Sequence, residues 1–448
     1  MPGACLLVPT DFSSCARRAM RMAAQIAPSL DARLEAIGMS VHRKAGAAPD
    51  EEELIELLHQ TRAQVVFKRS RVPVSRRVVE SCPDLLAVQL CCIGDDSVDK
   101  VACADHGVMV FNDPISNGRS VVELVVGHLV ALSRRLYETN EGCRAGAWEK
   151  NNTERYEIQG KVLGVLGLGN IGRSVARTCE SLGMKIRFFD TREVSCELGR
   201  ELGWTMASSV DDLFRGSDAV TVHVSARDVA GHSNEGLLAG DVLGQLGADR
   251  PDHSPRIFLN LSRGFLHGAE DLVSAVASGR VKRAAVDVYP AEPRGKGAAW
   301  GNPYADEPRI AVTPHIGAST QEAQPRIAAR VAHTFGRFSH QGGIRDCVFR
   351  PRMTLGFDEV PTGTGALLMV AHATTRGTKR AIDEIIYDAG ASNLSSVHRD
   401  FNALGVAYDL AALDRALTPS QIDALVATAT RITGDENAIR SVRQVPVG

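Results

Sequence analysis

Lys161-Val-Leu-Gly-Val-Leu-Gly-Leu-Gly-Asn-Ile-Gly172 is the stretch on which the fold of this chain turns. Its apolar first half has the continuous hydrophobic character of a parallel strand buried on both faces. The run stops at Gly167, and Gly169 and Gly172 follow before a helical pattern over 173–182. A second apolar run, 185–189, ends at Asp190, eighteen residues past the last glycine. Strand, glycine triplet, helix and spaced acid together form the context that a dinucleotide-binding turn requires. Gly167 permits the tight turn, Gly169 leaves no side chain between backbone and pyrophosphate, and Gly172 lets helix and strand pack closely. With Asn170 and Ile171 they open a helix whose free N–H groups and positive dipole end face the phosphates. Asp190 can accept hydrogen bonds from the adenosine ribose hydroxyls, so the expected cofactor is NAD rather than NADP. Arg192, just past the acid, reads as a solvated loop charge.

The chain has 448 residues, enough for two to four domains with a large core. Apolar residues make up 44% and charged residues 23%, as in an ordinary globular protein. A formal net charge of −2 gives no electrostatic case for nucleic acid or an anionic membrane as partner. No apolar run is long enough to span a bilayer, and the N-terminus lacks the basic start and apolar core of a signal peptide. The ten cysteines are scattered in apolar runs without a paired C-x-x-C set. Reduced core thiols in a cytoplasmic protein, and no metal site, are therefore expected.

Short apolar runs alternate with helical sequence in both directions from the glycine turn. Ahead of it, strands are expected at 5–8, 65–68, 86–92 and 109–111, a helix at 15–26, and a long apolar helix at 120–132. Beyond it, runs at 219–224, 256–261, 284–288 and 310–313 supply the later strands of a doubly wound sheet, and 225–255 looks partly loop. Residues 346–362 hold two prolines and little periodicity, which suggests a linker. The order βαββαβ over 363–448 fits a small ferredoxin-like domain. The expected fold class is thus α/β, with two doubly wound parallel-sheet domains, a lid and a Rossmann NAD domain, followed by that C-terminal domain.

Three islands follow predicted strand ends: Asn260-Leu-Ser-Arg-Gly264, Asp287-Val-Tyr-Pro-Ala-Glu-Pro293 and Thr313-Pro-His-Ile-Gly317. Ligands of open α/β sheets bind at the carboxyl ends of strands, so Arg263, Glu292 and His315 can converge although distant in sequence. They suit hydride transfer coupled to proton transfer. His315 would take the hydroxyl proton as general base, Glu292 would hold its ring, and Arg263 would grip a carboxylate or polarise a carbonyl. Asp287 is counted with the cofactor contacts. Singly, each residue would read as a cap, a loop acid or a core histidine; together, behind a nucleotide motif, they read as a catalytic set.

At these islands the chain resembles the D-2-hydroxyacid dehydrogenase family, and within it the phosphoglycerate dehydrogenases. Cys92-Ile-Gly-Asp-Asp-Ser-Val-Asp99 is similar to that family's substrate loop. Phe111-Asn-Asp-Pro-Ile-Ser-Asn-Gly-Arg-Ser-Val-Val-Glu123 is similar to its domain crossover, and Thr313-Pro-His-Ile-Gly-Ala-Ser-Thr-Gln-Glu-Ala-Gln324 to its phosphoglycerate branch. The resemblance implies a lid of 1–116 with 318–345, an NAD domain of 117–317, and Arg263, Glu292 and His315 as catalytic trio. It implies substrate carboxylate binding by the amides of Ile93 and Gly94. Arg69 and Arg71, two cations at i and i+2 able to share one phosphate, match its phosphate-binding Arg-Ser-Arg. Trp148 and Lys150 match a Trp-x-Lys that reaches the neighbouring subunit's site in bacterial relatives, so a homodimer or homotetramer is expected. The implied reaction is NAD-dependent oxidation of 3-phosphoglycerate. The alternatives are another 2-hydroxyacid dehydrogenase, acting on glyoxylate, hydroxypyruvate or 2-oxoglutarate, and an NAD-sensing binding protein.

The C-terminal βαββαβ order resembles an ACT regulatory domain. Of the effector residues seen in serine-inhibited relatives, His372 is retained, Thr374 and Arg376 replace an asparagine and a proline, and Asn393 lies one residue late. Serine is therefore expected to act weakly or not at all, and removal of 363–448 to leave hydride transfer largely intact.

Overall fold

The computed structural model describes residues 17–22, 29–44, 48–69, 72–228, 232–293 and 300–447. The strand expected at 5–8 and Arg71, expected to bind phosphate, lie outside the described residues. The chain divides into two compact units, Met1–Pro114 with Gln324–Gly448, and Ile115–Ala323.

The first unit contains a five-stranded parallel sheet of β1 (Arg17–Met22), β2 (Met39–Lys44), β3 (Val65–Lys68), β4 (Ala87–Leu90) and β5 (Met109–Phe111), in the order β2-β1-β3-β4-β5. The strands β3, β4 and β5 are buried at every position, which explains their mainly apolar character, broken only by Lys68 and Gln89. Arg17–Met22 corrects the helix expected at 15–26: it is a strand paired in parallel on both sides, with β2 and with β3. The returning helix Ala323–Gln341 covers the sheet, where Phe335 and Phe338 meet Phe67 and Phe111 edge-on at 5.2 and 4.9 Å.

The second unit is a seven-stranded parallel sheet. Its strands are β6 (Val162–Leu166), β7 (Lys185–Phe189), β8 (Thr205–Met206), β9 (Ala219–Val222), β10 (Ile257–Asn260), β11 (Arg283–Val286) and β12 (Ile310–Val312). Their order is β12-β11-β10-β9-β6-β7-β8, so the winding reverses between β6 and β9. One core cluster is built on Val121, Val125, Leu163, Val165 and Phe188, the other on Leu166, Phe214, Val222 and Phe258. The apolar helix Gly118–Ser133 contributes to the first. The described residues of the polar stretch 225–255 are mainly turns, as its composition suggests, but they are anchored. Leu238, Leu243 and Leu246 join the second core, and Arg250 and Ser254 bind the buried Asp218 carboxylate at 3.0 and 2.7 Å.

The C-terminal residues form an antiparallel sheet of β13 (Ala366–Ala373), β14 (Asn393–Phe401), β15 (Val406–Leu413) and β16 (Ile439–Pro446), ordered β14-β15-β13-β16. With helices Thr378–Asp388 and Pro419–Thr433 this is the βαββαβ order. Those helices pack on one face, around Leu368, Val370, Ile382, Leu425 and Val442. The other face is also buried: Tyr408 Oη donates to Gly342 O at 2.8 Å and the Arg443 guanidinium lies 3.7 Å above the Phe338 ring. Residues 346–362 have no helix or strand, yet Cys347, Val348 and Phe349 are buried and Cys347 bridges Phe111.

Candidate active site and nucleotide-binding turn

The glycine turn leaves the carboxyl end of β6, next to the reversal in strand order where such sheets bind ligands. Gly167 has φ 90°, the left-handed side, and a Cβ there would lie 2.8 Å from His223 O. A Cβ on Gly172 would fall 2.0 Å from Gly167 O, so helix and turn touch backbone to backbone. Around Gly169 the nearest atom to an added Cβ is Arg192 Nη2 at 3.5 Å, which leaves room for a ligand against the backbone. The helix Asn170–Ser181 begins its ladder with Arg173 N donating to Gly169 O at 3.0 Å, and the earlier N–H groups of that turn point out of the helix. Ile171 packs on the core beneath.

Asp190 accepts from Leu168 N at 2.7 Å and from Arg192 N at 2.8 Å. Arg192 Nε and Nη2 also reach its two oxygens, at 3.2 and 3.0 Å. Arg192 is thus no solvated charge. Its guanidinium, 45% exposed, covers an acid that is 6% exposed and fills acceptor positions a ribose diol could take. A cradle that a Cβ would close, a helix N-terminus and a fixed acid fit an NAD molecule.

The three islands are held by buried polar groups. The side chain of Asn260 donates to Arg263 O at 2.9 Å and accepts from Ser262 N and Oγ, both at 3.1 Å. That fixes the turn from which Arg263 projects. A Cβ on Gly264 would lie 2.1 Å from Tyr289 C, so the first two islands are in backbone contact. Asp287, 1% exposed, accepts from Thr313 Oγ1 at 2.6 Å and from the amides of Ile316 and Gly317, both at 2.8 Å. Tyr289 Oη donates to Thr313 O at 2.9 Å. Asp287 therefore anchors the His315 loop; the glycine loop and Asp190 face a nucleotide more directly.

Between those anchors His315 has φ 55°, a left-handed backbone for a non-glycine residue. Its Nδ1 lies 2.9 Å from both Glu292 carboxylate oxygens. A carboxylate only accepts, so Nδ1 carries the hydrogen and Nε2 is left as the basic nitrogen of a ring that is 44% exposed.

In the first unit Arg69 follows β3, and the 92–99 loop follows β4. Asn112 Nδ2 donates to Ile93 O at 2.6 Å and Cys92 Sγ to Gly94 O at 3.4 Å. The carbonyls of the loop are thereby tied down on the side away from its amides. Lys68, which the sequence joins to the neighbouring charges, is separate from them. It is fully buried, and Nζ donates to Ser97 Oγ at 2.6 Å, pinning the same loop. Burial pushes its ammonium down to about 8. The strand β3 is buried at every position in the fold, so its charged final residue points inward, which the sequence VVFK does not signal.

Trp148 is 87% exposed and Lys150 is exposed with it, on a segment tied back by Arg283. That buried arginine binds Glu138 and Glu154 at 2.9 and 3.0 Å. His372 and Asn393 are not brought together. In strand register Asn393 lies opposite Leu413 and hence Ala366, whereas His372 lies opposite Ala407, roughly 20 Å further along.

A family model for the NAD binding domain of D-isomer specific 2-hydroxyacid dehydrogenases matches residues 126–317. D-3-phosphoglycerate dehydrogenase of Escherichia coli strain K12 is 33% identical over 349 residues, 77% of this chain and 79% of its own. The Haemophilus influenzae enzyme of the same name is 33% identical over 342 residues, 76% and 78% of the two chains. Among solved structures, a glyoxylate reductase from Paecilomyes thermophila shares the fold at TM-score 0.63 and 22% identity, covering 74% of this chain and 98% of its own. No helix among the described residues is long and apolar enough to cross a membrane. Identity at this level over three quarters of the chain makes it a member of the D-isomer specific 2-hydroxyacid dehydrogenase family and an NAD-dependent oxidoreductase acting on a CH–OH group.

Proposed function

We propose that the enzyme oxidises 3-phospho-D-glycerate to 3-phosphohydroxypyruvate, the entry reaction of phosphorylated serine synthesis. The His315–Glu292 pair carries the reading of the reaction: an exposed imidazole, its Nδ1 clamped by a carboxylate at 2.9 Å, on a loop anchored at the carboxyl end of the nucleotide sheet. Bound NAD supplies the hydride acceptor. His315 Nε2 takes the hydroxyl proton as hydride leaves the same carbon, and Glu292 favours the imidazolium that forms. Arg263 steadies the oxygen that becomes the carbonyl. Ile93 and Gly94 offer amides to the carboxylate, and Arg69 and Arg71 offer two guanidinium groups to the phosphate. The similarity to enzymes named D-3-phosphoglycerate dehydrogenase supports this substrate. The ACT-like domain is proposed as a regulatory module on strand order alone.

The deciding measurement is NADH formation with 3-phosphoglycerate, set against NADH consumption with hydroxypyruvate, glyoxylate and 2-oxoglutarate. Arg69→Ala and Arg71→Ala are each expected to raise KM for the phosphorylated substrate about ten- to a hundredfold, from roughly 1.5–3 kcal/mol per charged hydrogen bond. KM for the unphosphorylated substrates should stay nearly constant. Equal effects on both classes would transfer the reading to another 2-hydroxyacid.

A further inference from the structure

Three strands of the C-terminal sheet carry His372, His398 and Asp409 onto one face. Asp409 of β15 is directly opposite both His398 of β14 and Val370 of β13, and His372 lies two residues beyond Val370. Residues so related point the same way, and Val370 packs against the helices. His372 Nε2 is 2.7 Å and His398 Nδ1 3.0 Å from the same oxygen, Asp409 Oδ2.

The outer nitrogen of each ring is engaged as well. His372 Nδ1 lies 2.7 Å from Ala373 O, and His398 Nε2 lies 3.2 Å from Asp400 Oδ1. Carbonyl and carboxylate oxygens only accept, so both outer nitrogens carry hydrogens. In neutral rings the two inner nitrogens are then lone pairs aimed at a carboxylate oxygen, and a positive species must lie among them. An outer N–H donated to a carbonyl or carboxylate is the arrangement that orients metal-ligating imidazoles.

We propose that His372 Nε2, His398 Nδ1 and Asp409 Oδ2 form a binding site for a divalent transition-metal ion, zinc foremost. Two nitrogens and one carboxylate oxygen suit that ion. The ligand atoms lie within 4.8 Å of one another. Tetrahedral ligands at about 2.0–2.2 Å from zinc stand roughly 3.4 Å apart, so the two short contacts need only open slightly to admit it. Lys379 Nζ takes the other oxygen, Oδ1, at 3.0 Å and leaves Oδ2 for the ion. Asp400 and Asp383 border the group, so three carboxylates face one ammonium there. His372 and Asp409 are sealed, whereas His398 is 35% exposed, so solvent reaches the site past His398. Cysteine spacing predicts no metal site. These ligands are 26 and 11 residues apart, and only strand pairing brings them together.

The full chain, stripped by chelator, would be titrated with zinc by calorimetry and in competition with a chromophoric chelator. One zinc per chain is expected, with a rise in melting temperature. Cobalt in place of zinc should give the intense visible bands of a four-coordinate ion. His398→Gln, on an edge strand where folding tolerates it, should weaken binding at least about tenfold and abolish the melting shift. Substoichiometric zinc, equal binding by the variant, pale six-coordinate cobalt bands, or near-ultraviolet cobalt–thiolate bands from the cysteines would each overturn the proposal.

Discussion

His315 holds a left-handed backbone because the groups on either side of it leave no choice. Asp287 takes the amides after it, and Tyr289 takes the carbonyl two residues before it. Asparagine tolerates that conformation better than alanine does, so His315→Asn is the cleaner probe of the base. It is expected to lower kcat about a hundredfold or more while the dissociation constant for NADH and the melting temperature barely change; turnover near wild type would remove His315 from the proton path. Lys68 makes a second prediction, with a sign set by linkage. Its folded pKa, about 8, lies below that of a free lysine, so the unfolded chain binds the extra proton between about pH 8 and 10.4. The contribution of this group to stability therefore rises with pH through that window and is lost below about 8. Lys68→Met should gain on the order of 1–3 kcal/mol at pH 7, and the gain should vanish by about pH 10.5 in denaturant titrations. A pH-independent difference would contradict a buried ammonium. The Glu292–His315 pairing was legible in sequence because both residues follow strand ends. Lys68, and Asp409 beneath His372, were not, since burial of a polar group is decided by what folds over it.

At the scale of elements, the glycine turn and its acid form one device with an unexpected third part. Two of the hydrogen bonds that fill Asp190 come from the Arg192 side chain. A ribose held by Asp190 would compete with them, and the guanidinium so freed would be available to a 2′-phosphate. Arg192→Ala is expected to lower KM for NAD by roughly two- to tenfold, as loss of a competing hydrogen bond of about 0.5–1.5 kcal/mol would. It should at the same time lower kcat/KM for NADP, and paired kinetics with both cofactors measure this. Improved use of NADP would mean that Arg192 meets no phosphate. The strands around this device were legible from their apolar runs: half-buried β7 coincides with its run, and β6 and β10, buried nearly throughout, fall within theirs. Arg17–Met22 was misread because Arg-Arg-Ala-Met-Arg-Met has no β-branched residue and favours a helix, whereas parallel pairing on both sides overrides propensity. Met39–Lys44 went unread for a similar reason, its one β-branched residue being Val41.

On the scale of the whole molecule, the order of elements in the last 85 residues or so was legible, but the surface they would cover was not. A half-apolar strand does not announce what lies on its second side. Here Leu367, Met369, Leu410 and Val445 are buried on the face away from the helices. Met369 and Leu410 meet Gly342, and Arg440 and Ser441 bind the carbonyls of Ala104 and Gly107 at 2.7 and 3.2 Å. The expectation that hydride transfer stays largely intact without 363–448 has to contend with that buried face. Exposing such side chains forfeits about 1.5–3 kcal/mol each, against a total stability of only about 5–15 kcal/mol. A chain ending at residue 362 should be insoluble or melt far below the intact protein in calorimetry. An equal melting temperature would show that the buried face contributes nothing.

Discontinuity of the first unit also sets an order of events on the ribosome. Met1–Pro114 is synthesised first, yet the helix whose Phe335 and Phe338 cap Phe67 and Phe111 belongs to Gln324–Gly448. Between them the uninterrupted unit Ile115–Ala323 is translated and free to fold. At about 5–20 residues per second, the nascent five-stranded sheet waits on the order of 10–40 s with its aromatic face uncovered. That interval is when a chaperone would find the chain, and it makes the amino-terminal 114 residues the part of the molecule whose yield depends most on the speed of translation.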